Sequence, residues 1–143
     1  ICKEGKNIEE KFASKYYDEI GIGIDFTARD IQAKCKEKGL PWEKAKAFDC
    51  SAPIGKFIDK KKMSDLNSIN FSLKINGNTV QVGNTKDLLF SFDAVIAYVS
   101  KFITLKTGDL IYTGTPEGVG PVKIGDKLEA SIENETLLTF EIK

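Results

Sequence analysis

An α+β fold, β-rich and largely antiparallel with a few short helices, is what this sequence predicts, and three observations carry that reading. Apolar and polar residues alternate through Ile69, Phe71, Leu73 and Ile75, "NGN" at Asn76 to Asn78 supplies a turn, and Thr79 to Val82 returns as a hairpin partner. A second pair closes the chain, "DKLEASIE" and "TLLTFEIK" around a turn at Asn134. The remaining periodic stretches are short and suit surface helices.

The elements follow in order. Ile8, Phe12, Tyr16 and Ile20 recur every four residues, which predicts a helix from Ile8 to Ile20 with Asn7 as N-cap and Glu9 and Glu10 in its first turn. Gly21 ends it. Ile22, Ile24 and Phe26 then alternate with Gly23, Asp25 and Thr27, a strand whose polar face carries Asp25 and Thr27. Thr27 is placed to cap the next helix, with Asp30 three residues on as an approximate capping box, and Gly39 and Pro41 mark its end. A helical turn around Glu43 to Ala47 precedes the irregular "FDCSAPIGKF", and Lys60 to Asp65 reads as a solvated linker. Beyond the first hairpin, Val95, Ile96, Val99 and Phe102 form the inner stripe of a helix from about Phe92 to Phe102. Gly108 and Asp109 lead into a strand, "LIYTGTP".

Composition narrows the function. The 143 residues make one domain, and 21 basic against 21 acidic side chains leave no net charge to favour nucleic acid or anionic lipid. The most apolar segment, Leu88 to Leu105, is broken by Ser91, Asp93, Ser100 and Lys101, so no membrane span is expected. Cys2, Cys35 and Cys50 form no CxxC pair, and with no signal-peptide pattern the expected location is cytoplasmic, with reduced thiols. No histidine is present, so acid–base chemistry within these residues falls to carboxylates, lysine or water. The chain starts at Ile1 without methionine, and the expectation is a domain lacking its N-terminal part.

Three passages could carry chemistry. In "GIGIDFTARDIQ" the carboxylate of Asp25 ends an apolar run, a costly position unless a cation meets it. Arg29 and Gln32, three apart on the following helix, could complete a rim that holds a carboxylate and reads a carbonyl; alternatively Asp25 simply pairs with Arg29. In "GLPWEKAKAFDCS", Lys46 lies between Ala45 and Ala47 beside Phe48, where a partly desolvated ammonium suits an enolate or carboxylate; the alternative is an ordinary solvated lysine, as for Lys44. In "YTGTPEGVGP" the glycines and prolines make a rigid loop whose N–H groups and Thr113 or Thr115 hydroxyls could contact an oxyanion. It lacks a P-loop lysine, and the alternative is a tight connection between strands.

Taken jointly, "GIGIDFTARDIQ", "KGLPWEKAKAFD", "NGNTVQVGNTKDLLFS", "YVSKFITLKTGDLIYTGTPEGVGPVKIGD" and "LEASIE" resemble, in order and spacing, the fumarylacetoacetate hydrolase family, in particular its small acylpyruvase and oxaloacetate-decarboxylase-like members. The resemblance implies a β-rich roll, a homodimer, and Mg2+ or Mn2+ for chemistry on a small-molecule oxo-acid substrate. It implies Asp25 as a metal ligand, Lys46 and Arg29 as catalytic, and Arg29, Gln32, Gly114 and Thr115 as substrate-binding. It also implies that a Glu-x-Glu pair completing the metal site, and the acid–base glutamate and histidine, lie upstream of Ile1, so this chain alone is expected to have little or no turnover. The activity implied is cleavage of a C–C bond in 2,4-dioxo acids through an enolate. Oxaloacetate decarboxylation, isomerisation of a hydroxydienedioate and a non-catalytic dimerising scaffold are the alternatives.

Overall fold

A computed structural model describes residues 1–143, and it is an α+β structure. Its centre is a four-stranded antiparallel sheet in the order β4-β3-β5-β6, with β3 at Asn70–Ile75, β4 at Asn78–Asn84, β5 at Lys127–Ile132 and β6 at Glu135–Glu141. Both hairpins stand where turn chemistry places them: Asn76 and Gly77 have positive φ in the first, and Glu133 in the second. Leu128, Ala130 and Ile132 alternate inward along β5 and oppose Ile75, Leu73 and Phe71 of β3.

Each edge strand carries a bulge, and an outside segment docks on each. In β4 the register skips Val80, and Gly118 lies so close to the freed Val80 carbonyl that no Cβ would fit there. In β6 it skips Leu137, whose carbonyl accepts from Lys56 N at 3.0 Å while Gly55 packs against it. The edges are thereby covered rather than left as open templates.

One core cluster joins Ile8, Ala13, Tyr17, Ile96 and Leu105, bringing α1 (Glu10–Ala13) against α4 (Phe92–Val99). A second joins Ile69, Ile132 and Leu137 under the sheet, and Leu66 packs against both. Yet the accessible surface is 9713 Å², well above the roughly 7,300 Å² that a compact monomer of this mass presents. The surplus is partly apolar: Leu89, Phe90, Phe102 and Ile124 are all exposed.

Several elements differ from expectation. The first helix is only α1 and a 3-10 turn to Tyr16, because the Lys60 ammonium takes the Ser14 and Tyr17 carbonyls and ends it. Lys60 is therefore no solvated linker residue, and Ile20 instead pairs with Ile58 where β1 (Glu19–Ile20) meets β2 (Ile58–Asp59). Asn7 is no N-cap; it has φ 52 and its N–H donates to the Ser100 carbonyl. Phe102 does not face inward, since α4 ends at Val99 and the chain turns it out to meet Tyr98 edge-to-face with ring centroids 5.3 Å apart. Residues 22 to 27 are extended but carry only one bridge, Gly23 to Ile54, and "LIYTGTP" forms no strand at all.

Candidate active site

The extended segment from Gly21 runs beside residues 51 to 55, with Ile24 N donating to Pro53 O at 3.0 Å and Phe26 N to Ser51 O at 2.8 Å. Successive side chains of an extended segment alternate between its faces, so Gly23, Asp25 and Thr27 share one face. α2 (Arg29–Lys38) follows and ends at Gly39, as expected, with the glycine in a left-handed cap at φ 62. α3 (Glu43–Lys46) is fastened back to the start of α2 by Ala28 N to Ala45 O at 3.0 Å. That single bond brings Lys46 over the polar face of the Asp25 segment.

The result is a three-residue cluster. Lys46 Nζ donates to Asp25 Oδ2 at 2.6 Å and to Thr27 Oγ1 at 2.7 Å. The cation that meets Asp25 is therefore Lys46, and Arg29 has no carboxylate within ion-pair distance. Thr27 is occupied by this contact and does not cap α2, whose N-cap is Ala28 without a side-chain bond. The Lys46 and Asp25 side chains keep exposures of 33% and 38%, so the pair lies at the surface and not in the core.

Of the other candidate residues, Arg29 is exposed at the start of α2 and Gln32, one turn on, is buried. Gly114, with φ 141, and Thr115 lie exposed in the loop after Tyr112 and make no hydrogen bond to Asp25 or Lys46. Tyr112 is the residue that sequence reasoning missed. Its hydroxyl donates to Ala52 O at 3.1 Å, and its phenol is held above the ordinary tyrosine range by burial and then by the charge of Asp25. The signal was present in Gly23, which stands next to Asp25 on its face and has no side chain.

These residues do not make a divalent-metal site by themselves. No group of three His, Cys, Asp or Glu side chains is gathered anywhere, and the lone carboxylate of the cluster is already paired with Lys46. The three cysteines are free, with Cys35 buried.

The fumarylacetoacetate (FAA) hydrolase C-terminal family model matches residues 1–142. The chain belongs to this family. A Mus musculus protein named oxaloacetate tautomerase FAHD1, mitochondrial, is 45% identical over 143 residues, covering 100% of this chain and 65% of the relative. The chain thus spans about 65% of the length of that relative. A fumarylacetoacetate hydrolase family structure from Yersinia pestis CO92 superposes with TM-score 0.95 at 40% identity, covering 100% of this chain and 65% of that one. A fumarylpyruvate hydrolase from Pseudomonas aeruginosa, solved in complex with Mn2+ and pyruvate, superposes with TM-score 0.92 at 35% identity, covering 99% and 61%. These names correct the cytoplasmic expectation: the Mus musculus relative and those from Homo sapiens and Arabidopsis thaliana are named mitochondrial. No helix of this chain is long and apolar enough to cross a membrane.

Proposed function

We propose that this chain carries the anion-binding part of an enzyme site that stabilises the enolate of a small 2-oxo acid. Tautomerisation of oxaloacetate is the first reading and hydrolysis of an acylpyruvate such as fumarylpyruvate the second. The observation that carries it is the Lys46 ammonium, fixed by Asp25 and Thr27 on a side chain that is one-third exposed, in a chain of this family. The first reading is supported by the name of the Mus musculus relative, and the second by the pyruvate-bound relative.

Both reactions place negative charge on the oxygen next to the substrate carboxylate. Lys46 supplies positive charge to that oxygen, and Arg29, free of any intramolecular carboxylate, supplies a planar fork for the carboxylate itself. Gln32 and the Gly114 and Thr115 backbone and hydroxyl are the proposed further substrate contacts. In tautomerisation a proton moves between the carbon and oxygen ends of the enolate and no carbon skeleton bond breaks. In hydrolysis water adds to the distal carbonyl, the bond from that carbon to the neighbouring CH2 breaks, and the enolate of pyruvate, with the same oxygen next to the carboxylate, is the leaving group. Asp25 would be one ligand of a Mg2+ or Mn2+ whose other ligands these residues do not supply. A homodimer is proposed on the exposed apolar side chains Tyr98, Phe102 and Ile103 beside α4.

The test is a parallel assay of oxaloacetate enol–keto exchange and of fumarylpyruvate cleavage, each with and without Mn2+, for the wild-type protein and Lys46→Met. Acceleration of either reaction that is lost in the variant supports the reading. Because this chain alone is expected to turn over little or not at all, calorimetric binding of oxalate that is lost in the variant also supports the reading. Rates equal to buffer together with no oxalate binding by wild type, or equality of the two proteins in both readouts, overturn it.

A further inference from the structure

The segment from Leu110 to Val122 contains the candidate oxyanion loop but no backbone–backbone hydrogen bond. For a folded domain that is unusual, because backbone polar groups normally find backbone partners or water. Besides the packing of Ile111 against the first core cluster, two side-chain hydrogen bonds hold it, one near its start and one at its middle. Gln81 Nε2 donates to Pro116 O at 3.0 Å, from β4, beside the point where Gly118 seats on the Val80 bulge. Tyr112 Oη donates to Ala52 O at 3.1 Å and lies 3.4 Å from Pro53 O.

The second clamp bears on the site. A Cβ placed on Gly23 would fall 2.6 Å from Tyr112 Oη and 2.7 and 2.8 Å from its Cε1 and Cζ, so the phenol rests directly against the Gly23 backbone. Gly23 and Asp25 share a face of their extended segment, so the ring lies on the same face as the Asp25 side chain, two residues along. The Pro53 carbonyl near the hydroxyl is the same one that accepts from Ile24 N. Tyr112 thus touches the Asp25 segment and the segment paired to it, while Gly114 and Thr115 follow it by two and three residues in the chain.

We propose that Tyr112 is a positioning residue: it fixes the Gly114–Thr115 loop against the strand that presents Asp25 and Lys46, so that both halves of the anion site face one ligand. This deepens the proposed function and rests on it for the identity of the ligand. Tyr112 is 41% exposed, so the ring is not a keystone of the core and its hydroxyl can be removed without a cavity.

The experiment compares wild type, Tyr112→Phe and Gly23→Ala by thermal melting, by amide hydrogen exchange at residues 113 to 118, and by calorimetric titration with oxalate, a 2-oxo-enolate mimic, in the presence of Mn2+. Tyr112→Phe is expected to melt within a few degrees of wild type, to exchange faster at Gly114 and Thr115, and to bind oxalate about fivefold more weakly, the effect of one neutral hydrogen bond. Gly23→Ala, which displaces the ring, is expected to reproduce both changes. Unchanged exchange at 113 to 118 in Tyr112→Phe overturns the clamp. Faster exchange with unchanged oxalate affinity overturns its role in the site. Absence of oxalate binding by wild type overturns the function on which the ligand rests, and exchange then still decides whether the clamp exists.

Discussion

Lys46 reaches across 21 residues of sequence to place its ammonium 2.6 Å from the Asp25 carboxylate, with the Thr27 hydroxyl 2.7 Å away as a second acceptor. Both partners are about one-third exposed, and pairs of that kind contribute little to folding, at most about 1 kcal/mol. Lys46→Met keeps the aliphatic stem and removes the charge. Its urea midpoint is expected to change little while oxalate affinity falls at least about tenfold, the scale of one charge-assisted hydrogen bond. A large loss of stability with unaltered affinity per folded molecule would make the pair structural.

The same pair predicts how the chain treats metal. A hard cation competing for Asp25 must displace an ammonium and then finds one carboxylate where several oxygens are needed. Titration of the 143-residue chain with Mn2+ should therefore give a dissociation constant on the order of millimolar or weaker. Asp25→Asn should abolish even that, and micromolar binding by the wild-type chain would refute the account.

Much of this was readable from local signals, and the failures share a cause. Asn76 and Gly77 specify their turn by their own backbone preferences, and Gly39 ends α2 for the same reason. The bulges at Val80 and Leu137 were not readable, because each exists to receive a segment distant in sequence. Periodicity extended the first helix through Ile20 because nothing local reveals that Lys60 caps it. At the site, the residue types in "DFTARDIQ" announced a charged rim, but the choice between Arg29 and Lys46 as partner of Asp25 depends on where Ala45 docks on Ala28. Tyr112 went unnoticed since its meaning lies in Gly23, eighty-nine positions earlier.

Docking of the loop on the β4 bulge makes a sharp contrast between two glycines. Gly118 has φ 94 and its missing Cβ faces the Val80 carbonyl, whereas Gly120 has open space around it. Gly118→Ala is expected to cost more than about 1 kcal/mol from backbone strain alone, and more from the clash. Gly120→Ala should be near neutral. Equal melting temperatures for the two variants would mean that the loop is not seated on the sheet.

The sheet core sets the reference for such numbers. Leu128 is 1% exposed and opposes Ile75 across the central β3–β5 pairing, so Leu128→Ala should cost about 2–5 kcal/mol by urea denaturation. A cost below 1 kcal/mol would show that the surrounding side chains collapse into the space, as a loosely packed sheet would allow.

Alkaline pH probes the other core cluster. Tyr17 is buried against Phe92, and its phenol is pushed far above the ordinary tyrosine range, first by that burial and then by the Asp93 carboxylate, whose Oδ1 is buried without a hydrogen-bond partner. A group that holds its proton more tightly when folded adds stability that is complete below its unfolded value, about pH 10, and is lost as pH rises toward the folded one. Base-induced unfolding should therefore begin above about pH 10 and coincide with the appearance of tyrosinate absorbance. Tyr17→Phe removes the buried acid while keeping the ring against Phe92. Its alkaline midpoint should move to higher pH with stability near neutral pH altered by no more than about 1 kcal/mol, and an unmoved midpoint would assign base sensitivity to other groups.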